Sequence, residues 1–171
     1  MDVATLRARQ APLKQRYRDD PSSAATAVGG AGSLAGPGVT VIVETWAGPV
    51  RSGLHPATGG DGQDACSGDL LLQALVACAG VTMRSVALAM GIEIRSGELR
   101  ARGSFDARGT LAVAKDTPVG VTDLTIQGDL DTDADAAGLA KLAELTERYC
   151  VVGQSLRAPV TVDLRRAAAL T

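Results

Sequence analysis

Two cysteines, Cys78 and Cys150, carry the clearest potential for chemistry in this sequence. Cys78 lies in the longest apolar run, residues 70–83, and Cys150 ends a second helix-like segment 72 residues later. A single buried cysteine usually behaves as a small hydrophobic side chain. Two cysteines on separate helices can, however, be brought together by folding into a thiol–disulfide couple. The pair therefore points to redox chemistry.

The predicted surroundings of Cys78 do not activate it by themselves. On a helical wheel it shares a face with Leu71, Leu75, Val81 and Thr82, which are mostly apolar. Burial among such side chains disfavours the thiolate, and a position in the middle of a helix lacks the favourable dipole of the N-terminus. From these residues alone a structural role is the simpler interpretation, and reactivity requires a nearby cation or hydrogen bonds.

The composition of the chain excludes several other functions. The 171 residues carry a formal net charge of −2, and only 2% of them are aromatic. Neither a basic surface for phosphates nor a stacking platform for bases is present, so we expect no nucleic-acid partner. The N-terminus lacks the apolar segment of a secretory signal. The 14-residue apolar run is shorter than the roughly 20 residues needed to cross a bilayer. We expect a cytoplasmic protein with no membrane partner.

Metal and phosphate binding are weaker interpretations. His55 is the single histidine, and together with Cys66, Cys78 and Cys150 it offers zinc-ligand types without the short spacings of zinc sites. The glycines at 59–62 are not followed by the lysine of a phosphate-binding loop. We expect no metal and no cofactor. His55 is predicted to shape its loop or to line the mouth of a pocket, and Cys66 to take no part.

The residue pattern predicts an N-terminal extension over residues 1–21 and a single domain over residues 22–171. Helices are predicted at 13–18, 67–90 and 134–149, and strands at 24–28, 39–45, 50–54, 98–107, 120–130 and 160–164. This order indicates an α+β fold with an antiparallel sheet rather than repeated βαβ units. The helix at 67–90 is apolar nearly all round, and the chain has little else to cover it. We therefore expect a homodimer that buries this helix.

The segments around the two cysteines resemble those of one protein family. Residues 77–82 (ACAGVT), at the end of a leucine-rich run, and residues 147–156 (ERYCVVGQSL) are similar to the two cysteine signatures of the OsmC/Ohr family of thiol-dependent hydroperoxide reductases. The resemblance covers roughly residues 24–164. It implies an OsmC-like fold, a strongly curved antiparallel sheet around two central helices, in an intertwined homodimer with two active sites at the subunit interface.

The resemblance also implies a role for each cysteine. Cys78 would attack the O–O bond of an organic hydroperoxide and become a sulfenic acid, and Cys150 would then close a disulfide with it. An external dithiol or a lipoyl-bearing protein would reduce that disulfide. The alternative is a protein of the same fold that binds a small molecule or senses redox state without peroxidase turnover.

The sequence departs from the family pattern where the reactive cysteine should be activated. The resemblance implies an arginine in a glycine-rich early strand and a glutamate near the start of the central helix. Residues 27–32 contain no arginine, and the helix begins with the sequence SGD. Asp69 is the nearest carboxylate, although nine residues place it about 180° from Cys78 on an ideal helix. The remaining candidates for the missing cation are Arg16, Arg18 and Arg51, with Arg84 less favourably placed on the helix.

Overall fold

The secondary structure comes from a computed structural model that describes residues 2–167; Met1 and residues 168–171, which end the predicted domain, lie outside it. The helices are α1 (Val3–Asp19), α2 (Ser67–Met90), α3 (Ala107–Thr110), α4 (Ala136–Tyr149) and α5 (Val151–Gln154). The strands are β1 (Ala31–Ser33), β2 (Thr40–Thr45), β3 (Gly48–Gly53), β4 (Ala65–Cys66), β5 (Ser96–Ser104), β6 (Thr122–Asp131) and β7 (Val160–Arg166). Two short 3₁₀ turns cover Pro21–Ala24 and Pro56–Thr58.

The strands form two sheets, in the orders β1-β2-β3-β4 and β5-β6-β7. Neighbouring strands are antiparallel except at one edge of each sheet, where β4 runs parallel to β3 and β7 runs parallel to β6. The predicted α+β class with antiparallel strand pairing is confirmed, and the one parallel pair at an edge of each sheet is a feature that the sequence did not predict. The chain passes through α4 and α5 between β6 and β7, and such a crossover returns it in the same direction.

The helix α2 is the centre of the hydrophobic core, with the predicted bounds. Gly91 ends it in the left-handed conformation, at φ 73°, and donates its N–H to the carbonyls of the last turn. Four buried residues recur at every fourth position along α2: Leu75, Ala79, Met83 and Ala87. This stripe belongs to a cluster that includes Leu142 of α4 and Ile126 of β6. The helix therefore packs on both the second sheet and α4.

The length of α2 corrects one argument made from the sequence. The helix has 24 residues and is long and apolar enough to cross a membrane, a test that the core helix of a soluble protein also passes. The apolar run at 70–83 is thus only part of the helix, and its length does not exclude a membrane span. The packing of α2 against α4 and β5 is the arrangement expected of a core helix.

The N-terminal segment differs most from the sequence prediction. The helix there begins at Val3 rather than near residue 13, because Asp2 caps it by accepting the N–H of Thr5 at 2.7 Å. Pro12 lies inside α1, where it removes one backbone hydrogen bond without ending the helix. Residues 25–28 form no strand, and the first strand is instead the short β1.

The predicted start of the second long helix also shifts. Asp135 caps α4 by accepting the N–H of Gly138 at 2.7 Å, so the helix begins at Ala136 rather than at residue 134. The remaining strands lie within a few residues of their predicted bounds. The short elements α3, α5 and β4 were not predicted.

We expect Leu142→Ala to lower the free energy of unfolding by about 2–5 kcal/mol, because it opens a cavity at a fully buried position of the core. The matched control is Leu13→Ala on α1, where the side chain is 41% exposed and the loss should be much smaller. Urea unfolding at one fixed protein concentration measures both. Equal losses in the two variants would contradict the assignment of the core.

Candidate active site

Folding brings Cys78 and Cys150 together. Cys78 lies midway along α2, and Cys150 lies at the junction of α4 and α5, where its N–H donates to Thr146 O at 3.0 Å. Both α4 and α5 pack against α2. Cys78 is partly buried, Cys150 is 2% exposed, and both are free thiols. Each thiol shifts the pKa of the other, and neighbouring N–H groups of α5 contact the two sulfur atoms, so the thiols lie side by side.

The short helix α5 presents backbone N–H groups to both sulfur atoms. The N–H of Val152 donates to Cys78 Sγ at 3.5 Å, and the N–H of Gly153 donates to Cys150 Sγ at 3.3 Å. Cys150 therefore caps α5 with its own sulfur. Ser155 Oγ donates to Val151 O at 2.7 Å and helps to hold this turn closed. Two neighbouring backbone N–H groups of α5 thus contact the thiol pair.

The two thiols differ in the direction of their pKa shifts. Burial raises the pKa of Cys78, but hydrogen bonds from Val152 N–H, Cys150, Val151 N–H and Thr82 outweigh it, so that the pKa lies below the ordinary value of a thiol. Burial is the largest cause of the raised pKa of Cys150, and the adjacent Cys78 raises it further. Cys78 is therefore the thiol that ionises first. A thiolate is the nucleophilic form of cysteine.

A second layer of hydrogen bonds fixes the position of the α4–α5 junction. Glu147, one turn before Cys150, accepts the N–H of Val162 on β7 at 2.6 Å with its carboxylate. Its backbone carbonyl accepts the side-chain amide of Gln154 at 2.8 Å. These two contacts tie α5 to α4 and to the edge of the second sheet. The donors that face Cys78 are therefore held by several independent contacts.

A cavity of about 310 Å³ adjoins Cys150 on the side of the second sheet. Its apolar lining comes from Ile126 of β6 and from Val160 and Val162 of β7, and Glu147 and Arg157 supply charge. The cavity thus reaches from the buried Cys150 to the exposed Arg157.

The predicted activators of Cys78 do not contact it within the described chain. Asp69 is exposed in the first turn of α2, where its charge favours the helix dipole, and nine residues of helix separate it from Cys78 by roughly 13 Å. Arg51 is paired with Asp64 beside β3. Arg84 is exposed on α2, outside the thiol pair's hydrogen bonds. Arginine activation stays a prediction that would require a second copy of the chain.

The two candidate arginines of the extension both lie on α1. Arg16 stacks on the ring of Tyr17, with its guanidinium carbon 5.1 Å from the ring centroid. Arg18 donates to Gln15 at 2.6 Å. Neither contact involves either cysteine of the pair.

His55 shapes its loop. Its Nδ1 accepts the N–H of Ala57 at 3.0 Å, its carbonyl accepts the N–H of Gly60, and its ring packs edge-on against Phe105. A side chain at Gly60 would collide with the carbonyl of Leu54, which explains the glycine in this tight turn. The pocket role of His55 stays a prediction. Within residues 2–167, His, Cys, Asp and Glu form no group of three or more that could hold a metal ion.

Sequence reasoning missed the donors that lower the pKa of Cys78. Cysteine is not among the residues preferred at the N-terminal cap of a helix, so the sequence around Cys150 does not predict that α5 begins there. The hydroxyl of Thr82 was within reach of prediction, because a residue four positions along a helix lies on the same face.

The fold and the paired thiols define an α+β protein with a two-cysteine site. The family model for OsmC-like proteins matches residues 60–165, which is more than half of the chain. The chain therefore belongs to the OsmC-like family. A comparison with curated protein sequences finds no match.

Solved structures support the same fold. An OsmC-like protein from Mycoplasma pneumoniae is similar with a TM-score of 0.70 at 13% identity, over 84% of this chain and 99% of that one. The organic hydroperoxide resistance protein OsmC from Legionella pneumophila gives 0.64 at 17% identity, over 84% and 100%. OhrB of Bacillus subtilis, an organic hydroperoxide resistance protein, gives 0.62 at 16% identity, over 81% and 98%.

We expect Cys78 to react with iodoacetamide at lower pH in the folded protein than in the urea-unfolded chain, because its lowered pKa keeps the thiolate populated as pH falls. Thr82→Val should move this pH profile upward by removing one donor, whereas Thr82→Ser keeps the hydroxyl and should leave it in place. Mass spectrometry of alkylated peptides gives the profile for each cysteine. A Cys78 profile identical in the folded and unfolded protein would contradict the assignment.

Proposed function

We propose that this protein reduces organic hydroperoxides to alcohols through Cys78 and Cys150. The observation that carries the proposal is the contact of Val152 N–H with Cys78 Sγ beside a second free thiol. It combines a stabilised thiolate with a partner that can form a disulfide. The resistance to organic hydroperoxides named for two similar structures agrees with this substrate class.

The proposed reaction has three steps. The Cys78 thiolate attacks the terminal oxygen of the hydroperoxide, the O–O bond breaks, and the alkoxide takes a proton and leaves as the alcohol. Cys150, as its thiolate, attacks the sulfur of the Cys78 sulfenic acid; the S–OH bond breaks as the disulfide forms, and the departing hydroxide takes a proton from solvent to become water. An external dithiol then reduces the disulfide and is itself oxidised. No further cofactor enters this scheme.

The surroundings of Cys78 favour a hydroperoxide with an apolar group. The thiol packs against the hydrophobic core, beside the buried Leu75 and Ala79 of α2. Apolar side chains favour contact with the alkyl or aromatic group of an organic hydroperoxide, and hydrogen peroxide has no such group. We therefore expect cumene hydroperoxide to react faster than hydrogen peroxide.

Cys78→Ser is expected to abolish consumption of cumene hydroperoxide in the presence of dithiothreitol, because it removes the nucleophile. Without a dithiol, Cys150→Ser should consume one equivalent and form no intramolecular disulfide, and Cys66→Ser is the matched control that should retain turnover with dithiothreitol. Peroxide loss and the mass of the alkylated protein measure these effects. Turnover that survives in Cys78→Ser would refute the proposal.

A second candidate function is a protein that binds a small molecule or senses redox state without turnover. It is favoured by the groups that lower the pKa of Cys78 within residues 2–167, which are backbone N–H groups and uncharged side chains, with no guanidinium among them. Rapid oxidation of Cys78 and Cys150 by one equivalent of hydroperoxide, without repeated turnover in the presence of a dithiol, would select this function.

We further propose that two copies of the chain form the functional unit. Only four of the 24 residues of α2 are buried, and Val81 on this helix is 73% exposed. In β1–β4 the single buried residue is Ser52, so the first sheet covers no core of its own within the described chain. Exposed apolar surface of this extent is typical of an interaction face. A second copy would cover both elements and could bring an arginine to Cys78.

Light scattering should give twice the 17.4 kDa mass of one chain, because association would bury the exposed surfaces of α2 and the first sheet. Trp46, the single tryptophan, is fully exposed in one chain and serves as a probe. Its emission should move to longer wavelength on dilution if the second copy covers it. A 17.4 kDa particle at micromolar concentration would contradict the dimer.

A further inference from the structure

Only one of the two thiols lines the cavity beside Cys150. The lining includes Cys150 and Gly153 but not Cys78, and no residue of α2 contributes to it. The cavity is lined by residues of α4, α5, β6, β7 and the turn before β7, and not by the helix that carries Cys78. The proposed oxidation at Cys78 makes no use of this space.

We infer that this cavity admits the external dithiol, which attacks the Cys150 sulfur of the Cys78–Cys150 disulfide rather than the Cys78 sulfur. The inference rests on the proposed function, because it assumes that this disulfide is the oxidised form of the site. It places the reductant at Cys150 and the hydroperoxide at Cys78, so that the two molecules reach different sulfur atoms.

The direction of attack follows from the geometry. Thiol–disulfide exchange proceeds through a mixed disulfide, and access decides which sulfur is attacked. The incoming thiolate approaches along the line of the S–S bond, from the side opposite the leaving sulfur. Cys150 lines the cavity and Cys78 does not, so a thiol that enters the cavity meets Cys150 without passing α2.

The exchange balances in two steps. A thiolate of the dithiol forms an S–S bond to Cys150 Sγ, the Cys78–Cys150 bond breaks, and Cys78 leaves as a thiolate. The second thiolate of the dithiol then closes its own disulfide and releases Cys150 as a thiolate, so that two electrons pass to the protein. A thiol of lower pKa is the better leaving group. The hydrogen bonds that lower the pKa of Cys78 therefore support attack at Cys150.

The charges at the cavity also suit a thiolate. Arg157 is exposed and lines the cavity, so it places a guanidinium at the rim. The carboxylate of Glu147 is engaged by the N–H of Val162. The lining combines these charged side chains with Ile126, Val160 and Val162, and the volume of about 310 Å³ suits a small dithiol that has both polar and apolar parts.

The first experiment identifies the attacked sulfur. The protein is oxidised with diamide, which forms the disulfide without a hydroperoxide, and is then mixed with 2-mercaptoethanol and quenched with acid within milliseconds. Mass spectrometry should locate the mercaptoethanol adduct on Cys150, with Cys78 free for later alkylation. An adduct on Cys78 would overturn the inference, as would the failure of diamide to link the two cysteines.

The second experiment covers the cavity. Arg157→Trp should slow reduction of the diamide-formed disulfide by dithiothreitol at least tenfold, because the indole can close the rim. Arg157→Gln removes the charge alone and should have the smaller effect, and Arg9→Trp on the exposed side of α1 is the matched control. Unchanged reduction in Arg157→Trp, or an equal loss in Arg9→Trp, would overturn the inference.

The two experiments also separate this inference from the proposed function. If hydroperoxides fail to oxidise Cys78 while the diamide-formed disulfide is still attacked at Cys150, the peroxidase proposal fails and the reductant approach stands. If hydroperoxides oxidise Cys78 normally and the adduct lies on Cys78, the peroxidase stands and the reductant approach fails.

Discussion

The packing of α2 against the α4–α5 junction is the constraint on which the rest of the site depends. One stripe of α2 is buried against α4 and the second sheet, and this fixes both the height and the rotation of Cys78. The same contact places the donors of α5 opposite the thiol. A shift of one residue along α2 would rotate Cys78 by about 100° and remove it from those donors. The chemistry and the core are therefore determined by one interface.

The thiol pair obtains its asymmetry from the backbone rather than from charged side chains. The N–H of Val152 donates to Cys78 Sγ and the N–H of Gly153 donates to Cys150 Sγ, so one turn of helix contacts both sulfur atoms. Burial opposes ionisation at each thiol, but the balance differs, because Cys78 receives more donors. Neutral donors fixed by the fold need no mobile side chain to be ordered. A thiolate can thus be favoured even where a cation is absent from the immediate surroundings.

The first sheet leaves much of its surface exposed. The first sheet contacts the helices mainly where β4 leads into α2, and the Pro56–Thr58 turn that follows β3 contacts α3. A sheet normally buries one face against another layer. Within residues 2–167 the chain provides that layer only for the second sheet, and this uncovered surface is the observation behind the proposed second copy.

The sequence by itself determined the two cysteines, the α+β class and the full extent of α2, because local hydrophobic periodicity and a terminal glycine record them directly. It could not determine α5, the parallel pairing of β7 with β6, or the hydrogen bonds at Cys78. Those features depend on contacts between residues far apart in the chain, such as the N–H of Val152 and Cys78 Sγ. The candidate activators Asp69 and Arg51 matched the required chemistry, but only the tertiary structure decided that they face other partners or solvent.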